Sequence, residues 1–269
     1  MMKPSSTSLM RFSRRLANGS PQQCFAFGTN ASMTAASKQT FPKNLLVNQR
    51  AATSLAIQQY QQRPPYESDL VVVLDMDECL LHSQFLSPQA ARLAHQVADT
   101  QEWNSRTTVE TFHVTLPDGD VAHVYQRPFL LPFLKEVTQR YETHIFTAAM
   151  SVYAKPVLDY LDPLDQLAGR WYRESCVFRD NAYIKDLGVL QKSSLDRVVL
   201  VDNNPLSFLA NPENGILVKS FYSDASDKTL LAVLDLLQEL EHEPDVKPLL
   251  EQKFGLKAAL HDVNRQGQM

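Results

Sequence analysis

No acidic residue precedes Glu67, although the chain runs to 269 residues and contains 30 Asp and Glu. Over that same stretch eight basic residues, Lys3, Arg11, Arg14, Arg15, Lys38, Lys43, Arg50 and Arg63, stand among Ser, Thr, Ala, Gln and Asn. The remainder therefore sets 18 basic against 30 acidic residues, a poor balance for direct, sequence-independent nucleic-acid binding, which depends on lysine and arginine neutralising phosphates. Cysteine is scarce: Cys24, Cys79 and Cys176 are the only three, too few and too unevenly spaced for a disulfide framework or a zinc site. That usage fits a reducing compartment. No run of about 18 apolar residues occurs, so no membrane span is expected. No repeat of fixed period is visible either, which excludes solenoids and arrays.

What the chain does contain is organised around residues 70–80, Leu70-Val71-Val72-Val73-Leu74-Asp75-Met76-Asp77-Glu78-Cys79-Leu80. Five consecutive apolar residues read as a strand buried on both faces, as in parallel sheets sandwiched between helices. The chain then turns acidic. In open α/β sheets ligands bind just past the carboxyl ends of the strands, so Asp75 and Asp77 stand where chemistry is expected. A D-x-D pair is weak by itself, because acids in loops are commonly solvated or cap a helix.

The basic, acid-free segment 1–66 has the pattern of an organellar transit peptide, with 10–17 as a short amphipathic helix, or else is a disordered tail carrying no address. A secretory signal is disfavoured, since no apolar core follows the basic residues. Pro64-Pro65 marks a stiff entry to a single domain over 67–245, and 246–269 forms a C-terminal tail with room for one short helix. Within the domain, 88–97 reads as a short helix. Residues 111–115 and 121–125 are β-rich runs flanking the turn sequence Pro117-Asp118-Gly119-Asp120, which predicts an antiparallel hairpin beside the site. His113 and His123 on it are read as alternating exposed positions rather than metal ligands. A helix begins at 127–137, with proline tolerated in its first turn.

Residues 143–147 form the next strand, followed by a helix whose apolar positions are Tyr153, Val157, Leu158 and Leu161. Thr147, at that strand's end and before a helix N-terminus, could help hold an anion or could merely cap. A short strand region follows at 170–178, and Lys185 lies on a loop beyond it. Residues 197–202 then repeat the opening theme, an apolar strand stopping at Asp202-Asn203. Two acid-terminated strands more than a hundred residues apart suggest one shared cation. Residues 215–218 form a last strand, and 227–241 an amphipathic helix whose stripe of Leu230, Leu231, Leu234, Leu237 and Leu240 is read as core.

Asp75-Met76-Asp77, Thr147, Lys185 and Asp202-Asn203 occur in the order of the four motifs of the haloacid dehalogenase superfamily. The blocks VVLDMDECLLHS, RPFLLPFLKEV, HIFTAAMSVYAKPVLDYLDP, YRESCVFRDNAYIKDL and VVLVDNNPLSF, spanning roughly 68–241, closely resemble the FCP/SCP-type phosphatases that act on the C-terminal domain of RNA polymerase II and on other phosphoproteins. The resemblance implies an α/β fold, a haloacid-dehalogenase-like (Rossmann-like) parallel sheet flanked by helices with a small β-hairpin insertion after the first strand. One departure stands out. The position after D-x-D-E usually carries threonine, and here it is Cys79, a weak thiol donor in place of a hydroxyl.

By resemblance Asp75 is the nucleophile that forms an aspartyl-phosphate, and Asp77 is the general acid and then base. The metal is Mg²⁺, held by Asp75, the Asp77 backbone carbonyl and Asn203, with Asp202 nearby. Thr147, Lys185 and Arg173 would bind the phosphate, and Phe85 and Tyr153 would line a substrate groove. Lys185 could otherwise pair with Asp186, and Arg173 with Glu174. The implied function is a Mg²⁺-dependent phosphoprotein serine/threonine phosphatase, located in the mitochondrion or another organelle, or alternatively in nucleus or cytoplasm. The competing readings are a non-catalytic presequence-binding receptor of the mitochondrial inner-membrane translocase and a small-molecule phosphatase.

Overall fold

The computed structural model describes residues 66–87 and 109–260. The basic segment, Cys24 and the helix expected at 88–97 lie outside the described residues. A five-stranded sheet forms the centre. Its members are β1 (Val71–Leu74), β5 (Glu142–Phe146), β6 (Gly169–Trp171), β9 (Val198–Asp202) and β10 (Gly215–Leu217), in the order β10-β9-β1-β5-β6. All four pairings are parallel, as the unbroken Val-Val-Val-Leu run of β1 requires of a strand covered on both sides. Val72, Val73 and Leu74 are fully buried, each contributing about 1.5–3 kcal/mol of burial free energy.

Register decides where the acids meet. β1 lies between β5 and β9, with Leu74 opposite Ile145 on one side and Val201 on the other. One residue further on, Asp75 stands beside Asp202. Both strands stop there, so the two carboxylates share the carboxyl edge of the sheet.

The insertion after β1 is larger than the hairpin expected from sequence. Thr111–Thr115 (β3) and Val121–Gln126 (β4) pair around the predicted turn, where Gly119 takes φ +91° and Asp118 accepts the Asp120 N–H. Leu81–Leu86 (β2) joins them as a third antiparallel strand, in the order β2-β4-β3. Its polar centre, His-Ser-Gln, hid it from a hydrophobicity reading. His113 and His123 face one another across the hairpin, with Nε2 and Nδ1 2.6 Å apart.

Helix α1 (Leu130–Arg140) begins three residues later than 127, because Phe129 before it is held in the left-handed region at φ 68°. Pro132 sits in its first turn, where its missing N–H costs nothing. Helix α2 (Ser151–Leu161) follows β5, and its buried face is the predicted one of Tyr153, Val157, Leu158 and Leu161, with Ala154 added. Two short strands, β7 (Val177–Arg179) and β8 (Ala182–Ile184), make a small hairpin leading to Lys185.

Helix α3 (Thr229–Leu240) buries Leu230, Val233, Leu237 and Leu240. The leucine-only stripe is corrected here: Leu231 is exposed and Leu234 half-buried, because the helical period places Val233 on the inner face instead. The expected C-terminal helix is α4 (Val246–Phe254), whose Val246 and Leu250 are buried. Side chains of β1, β9 and β10 share one core with α1, α2 and α3. Among the described residues no helix is long and apolar enough to cross a membrane.

Candidate active site

Lys185 leaves β8 with its backbone N–H bonded to the Ser207 carbonyl, and its side chain turns inward until it is only 1% exposed. There its ammonium donates to Asp75 Oδ1 at 2.5 Å and to Asp202 Oδ2 at 2.6 Å. The second Asp202 oxygen accepts the Asn204 N–H at 2.7 Å. One ammonium between two carboxylates leaves a net negative charge in a buried place, which is costly unless another positive charge arrives. The titration directions agree. Burial, and then the neighbouring Asp202, push the Asp75 carboxyl well above the usual carboxylate range against the pull of Lys185. Burial works against the Lys185 charge too, but Asp202 and Asp75 outweigh it and hold the ammonium protonated.

Asp77 has a different environment. Its Oδ1 lies 2.6 Å from the Tyr153 hydroxyl of α2, and that hydroxyl lies 2.5 Å from Ser83 Oγ on β2. Burial pushes the Asp77 carboxyl up to about 7, against the lowering effect of the Tyr153 hydrogen bond. Two neighbouring acids thus receive separate surroundings, one tied to a lysine and one tied to a phenol. That is the pattern that lets one carboxylate attack while the other moves a proton. The loop between them is shaped by its own backbone: Glu78 takes φ 55°, its N–H donates to the Leu81 carbonyl, and the Leu80 N–H donates to that of Met76.

Asn203 supplies a test of whether a cation suits the site. Its side-chain oxygen faces Asp75 Oδ2 at 3.1 Å and the Asp77 backbone carbonyl at 3.2 Å, while its nitrogen donates to Ser220 Oγ at 3.1 Å. With the amide oxygen turned inward three acceptors converge; with the amide turned over, its nitrogen donates to both and its oxygen accepts from Ser220. Oxygen ligands at right angles around Mg²⁺, with bonds of about 2.1 Å, stand roughly 3 Å apart. The residues therefore fit a hard cation. The donor set is one carboxylate, one carbonyl and one amide; among the described residues no three His, Cys, Asp or Glu side chains are grouped for a metal. Asp202 has both oxygens engaged, one with Lys185 and one with the Asn204 N–H.

Of the remaining expected residues, Thr147 lies just past β5 and is buried, with its Oγ1 accepting the Ala149 N–H at 3.0 Å. Arg173 reaches the same loop, donating from Nε to the Ala148 carbonyl at 2.6 Å and lying over the Tyr183 ring at 4.8 Å. It does not pair with Glu174, which accepts from Ser151. Lys185 likewise ignores Asp186, whose carboxylate caps the next turn. Phe85 is exposed and meets the Tyr153 ring edge-on at 5.1 Å. Asp75, Lys185, Asp202 and Asn203 are thus brought together directly, and Asp77, Tyr153 and Phe85 form a contiguous second group. Thr147, on the loop after β5, and Arg173, which follows β6 and reaches back to that loop, flank these.

Sequence reasoning missed Ser83, Ser220 and the clamp that steadies the loop. Arg127, only 1% exposed, donates to both carboxylate oxygens of Asp227 at 2.9 Å and to the carbonyls of Cys79 and Lys219 at 2.7 and 2.8 Å. The block RPFLLPFLKEV contains Arg127, but nothing in its spacing names a partner a hundred residues away. Cys79 is fully buried with its thiol toward the Val201 carbonyl. Burial, and then Asp75, push that thiol well above its ordinary value, which leaves no reactive thiolate.

Comparison with known proteins gives a consistent set of similarities. The model of the family described as NLI interacting factor-like phosphatase matches residues 70–247. The human CTD small phosphatase-like protein is 36% identical over 181 residues, which cover 66% of this chain and 59% of that protein. Nuclear envelope morphology protein 1 of Saccharomyces cerevisiae is 34% identical over 199 residues, covering 70% of this chain and 42% of that one. A solved structure of Fcp1, titled an essential RNA polymerase II CTD phosphatase, aligns over 72% of this chain and 54% of that one, with a TM-score of 0.46 and 22% identity. The chain spans about two to three fifths of the length of these two curated relatives.

Proposed function

Because the chain belongs to the NLI interacting factor-like phosphatase family, we propose that it is a Mg²⁺-dependent phosphoprotein serine/threonine phosphatase that works through an aspartyl-phosphate on Asp75. The observation that carries this reading is the sharing of one lysine ammonium by Asp75 and Asp202, beside the Asp77 carbonyl and the Asn203 side-chain amide. Asp75 attacks phosphorus and the ester P–O bond breaks, with Asp77 giving its proton to the departing oxygen. Water then attacks the acyl phosphate, Asp77 takes a proton from it, and Asp75 is released together with inorganic phosphate.

Lys185 is a fixed positive charge for the phosphoryl oxygens, Thr147 supplies a hydroxyl and Arg173 a guanidinium at the rim, all set before substrate arrives. Asp75, the Asp77 carbonyl and Asn203 would hold Mg²⁺, which when bound offsets the negative charge on both reacting partners. Phe85 and the ring of Tyr153 offer an apolar surface to residues flanking the phosphoamino acid. The names of the relatives support a phosphoprotein substrate, the C-terminal domain of RNA polymerase II among the candidates, and a nuclear rather than mitochondrial location, which imaging of a full-length fusion tests.

The purified chain should release phosphate from an aryl phosphate and from phosphoseryl or phosphothreonyl peptides when Mg²⁺ is present. Chelation should stop the release and added Mg²⁺ restore it, while Asp75→Asn should reduce it to background. Undiminished turnover in Asp75→Asn would remove Asp75 from the chemistry, and an inactive wild-type chain would return the choice to the non-catalytic receptor.

A further inference from the structure

Tyr153 is expected from the family resemblance to line a groove with its ring, yet its hydroxyl is committed elsewhere. It lies 2.6 Å from Asp77 Oδ1 and 2.5 Å from Ser83 Oγ. Three separate elements meet at that point: the loop after β1, strand β2 and the first turn of α2. The ring itself is fixed, being 8% exposed and packed edge-on against Phe85. The phenol has one proton. Donated to Asp77 Oδ1, it leaves the Tyr153 oxygen to accept from the Ser83 hydroxyl, so each donor in the chain Ser83–Tyr153–Asp77 has an acceptor.

We propose that Tyr153, braced by Ser83, is a positioning residue for Asp77. By occupying Oδ1 it fixes the carboxyl rotamer and leaves Oδ2 as the oxygen that delivers and recovers the proton. The inference rests on the phosphatase reading and refines it. In the first step the Asp75–phosphorus bond forms, the ester P–O bond breaks, and the proton on Asp77 Oδ2 goes to the leaving alkoxide. In the second a water oxygen bonds to phosphorus, the bond to Asp75 breaks, and the water proton returns to Asp77 Oδ2. A misaligned Asp77 harms only transfers that need a proton. An alkoxide leaving group needs one; a nitrophenolate does not.

The test is a comparison of Tyr153→Phe with wild type on two substrates in the presence of Mg²⁺. With a phosphoseryl peptide, kcat should fall on the order of 10–100-fold at nearly unchanged KM, a part of the ~10²–10⁴-fold that a positioned acid and base supply. With p-nitrophenyl phosphate, the rapid first burst of nitrophenolate should stay within about 3-fold of wild type while the steady-state rate, which includes the water step, falls with that of the peptide. Ser83→Ala, at a half-buried position of β2, should show the same split at smaller amplitude. A rise in KM alone would reduce Tyr153 to a groove residue. An equal loss of burst and peptide turnover, or no loss in either variant, would also overturn the proposal. Wild type inactive on both substrates would instead remove the phosphatase reading, and this inference with it.

Discussion

Replacing Asp227 with alanine should destabilise the domain more than any exposed change, and the structure gives the size. Arg127 donates two charge-assisted hydrogen bonds to Asp227, both 2.9 Å, in a place where Arg127 is 1% and Asp227 7% exposed. Losing two such bonds at about 1.5–3 kcal/mol each matches the ~3–5 kcal/mol typical for breaking a buried pair and stranding its partner. With a urea m-value of about 2 kcal/mol/M, the unfolding midpoint should drop by roughly 1.5–2.5 M at constant slope. The pH dependence has a definite sign. Burial alone would raise the Asp227 pKa, but Arg127 and Thr229 hold it below the ordinary carboxylate value. A depressed carboxylate contributes stability that is complete above its unfolded pKa, about 3.9, and is lost as pH falls through the folded one. The gap between wild type and variant should therefore be constant from neutral pH to about 5 and narrow only below about 4. A neutral-pH difference under ~1 kcal/mol, or a gap that widens on acidification, would refute the reasoning. Activity should suffer as well, because Arg127 also anchors the Cys79 carbonyl, two residues after Asp77 on the same loop.

Two further expectations concern the acids and the thiol. Burial first, opposed by Tyr153, places the Asp77 carboxyl at about 7, so it is protonated below that pH and lost as an acid above it. Peptide turnover should decline about tenfold per unit above pH 7, whereas the nitrophenolate burst should not share the decline; parallel profiles would exclude Asp77 as the proton donor. Iodoacetamide at neutral pH should leave activity intact and Cys79 unlabelled in the folded chain, since the thiol is fully buried and its pKa is raised chiefly by that burial. Rapid inactivation with Cys79 carboxymethylated would contradict the buried geometry.

The parts of the site legible in the sequence are those that chemistry forces onto strand ends. Val71–Leu74 and Val198–Asp202 announce themselves because a strand buried on both faces must be continuously apolar, and an acid following such a run is conspicuous. The stripe on α2 is legible for the same reason, through period rather than continuity. The partners are not. Nothing local says that β1 and β9 are direct neighbours, and it is that adjacency, with Leu74 opposite Val201, that lets one Lys185 ammonium reach both Asp75 and Asp202. Ser83 is invisible because β2 alternates weakly, its exposed residues being Gln84 and Phe85 and its half-buried serine serving a phenol instead of the core. Arg127 stands in the sequence only as a helix entry, since its fork is matched by an aspartate a hundred residues away. These misses share a cause. Side chains that touch the reacting groups are restricted in kind and so leave a motif, whereas those that hold them need only reach, and many residue types at many positions can do that. On the proposed mechanism, the braces Ser83–Tyr153 and Arg127–Asp227 are therefore where this chain's rate and pH response can be tuned without altering Asp75, Asp77, Asp202 and Lys185.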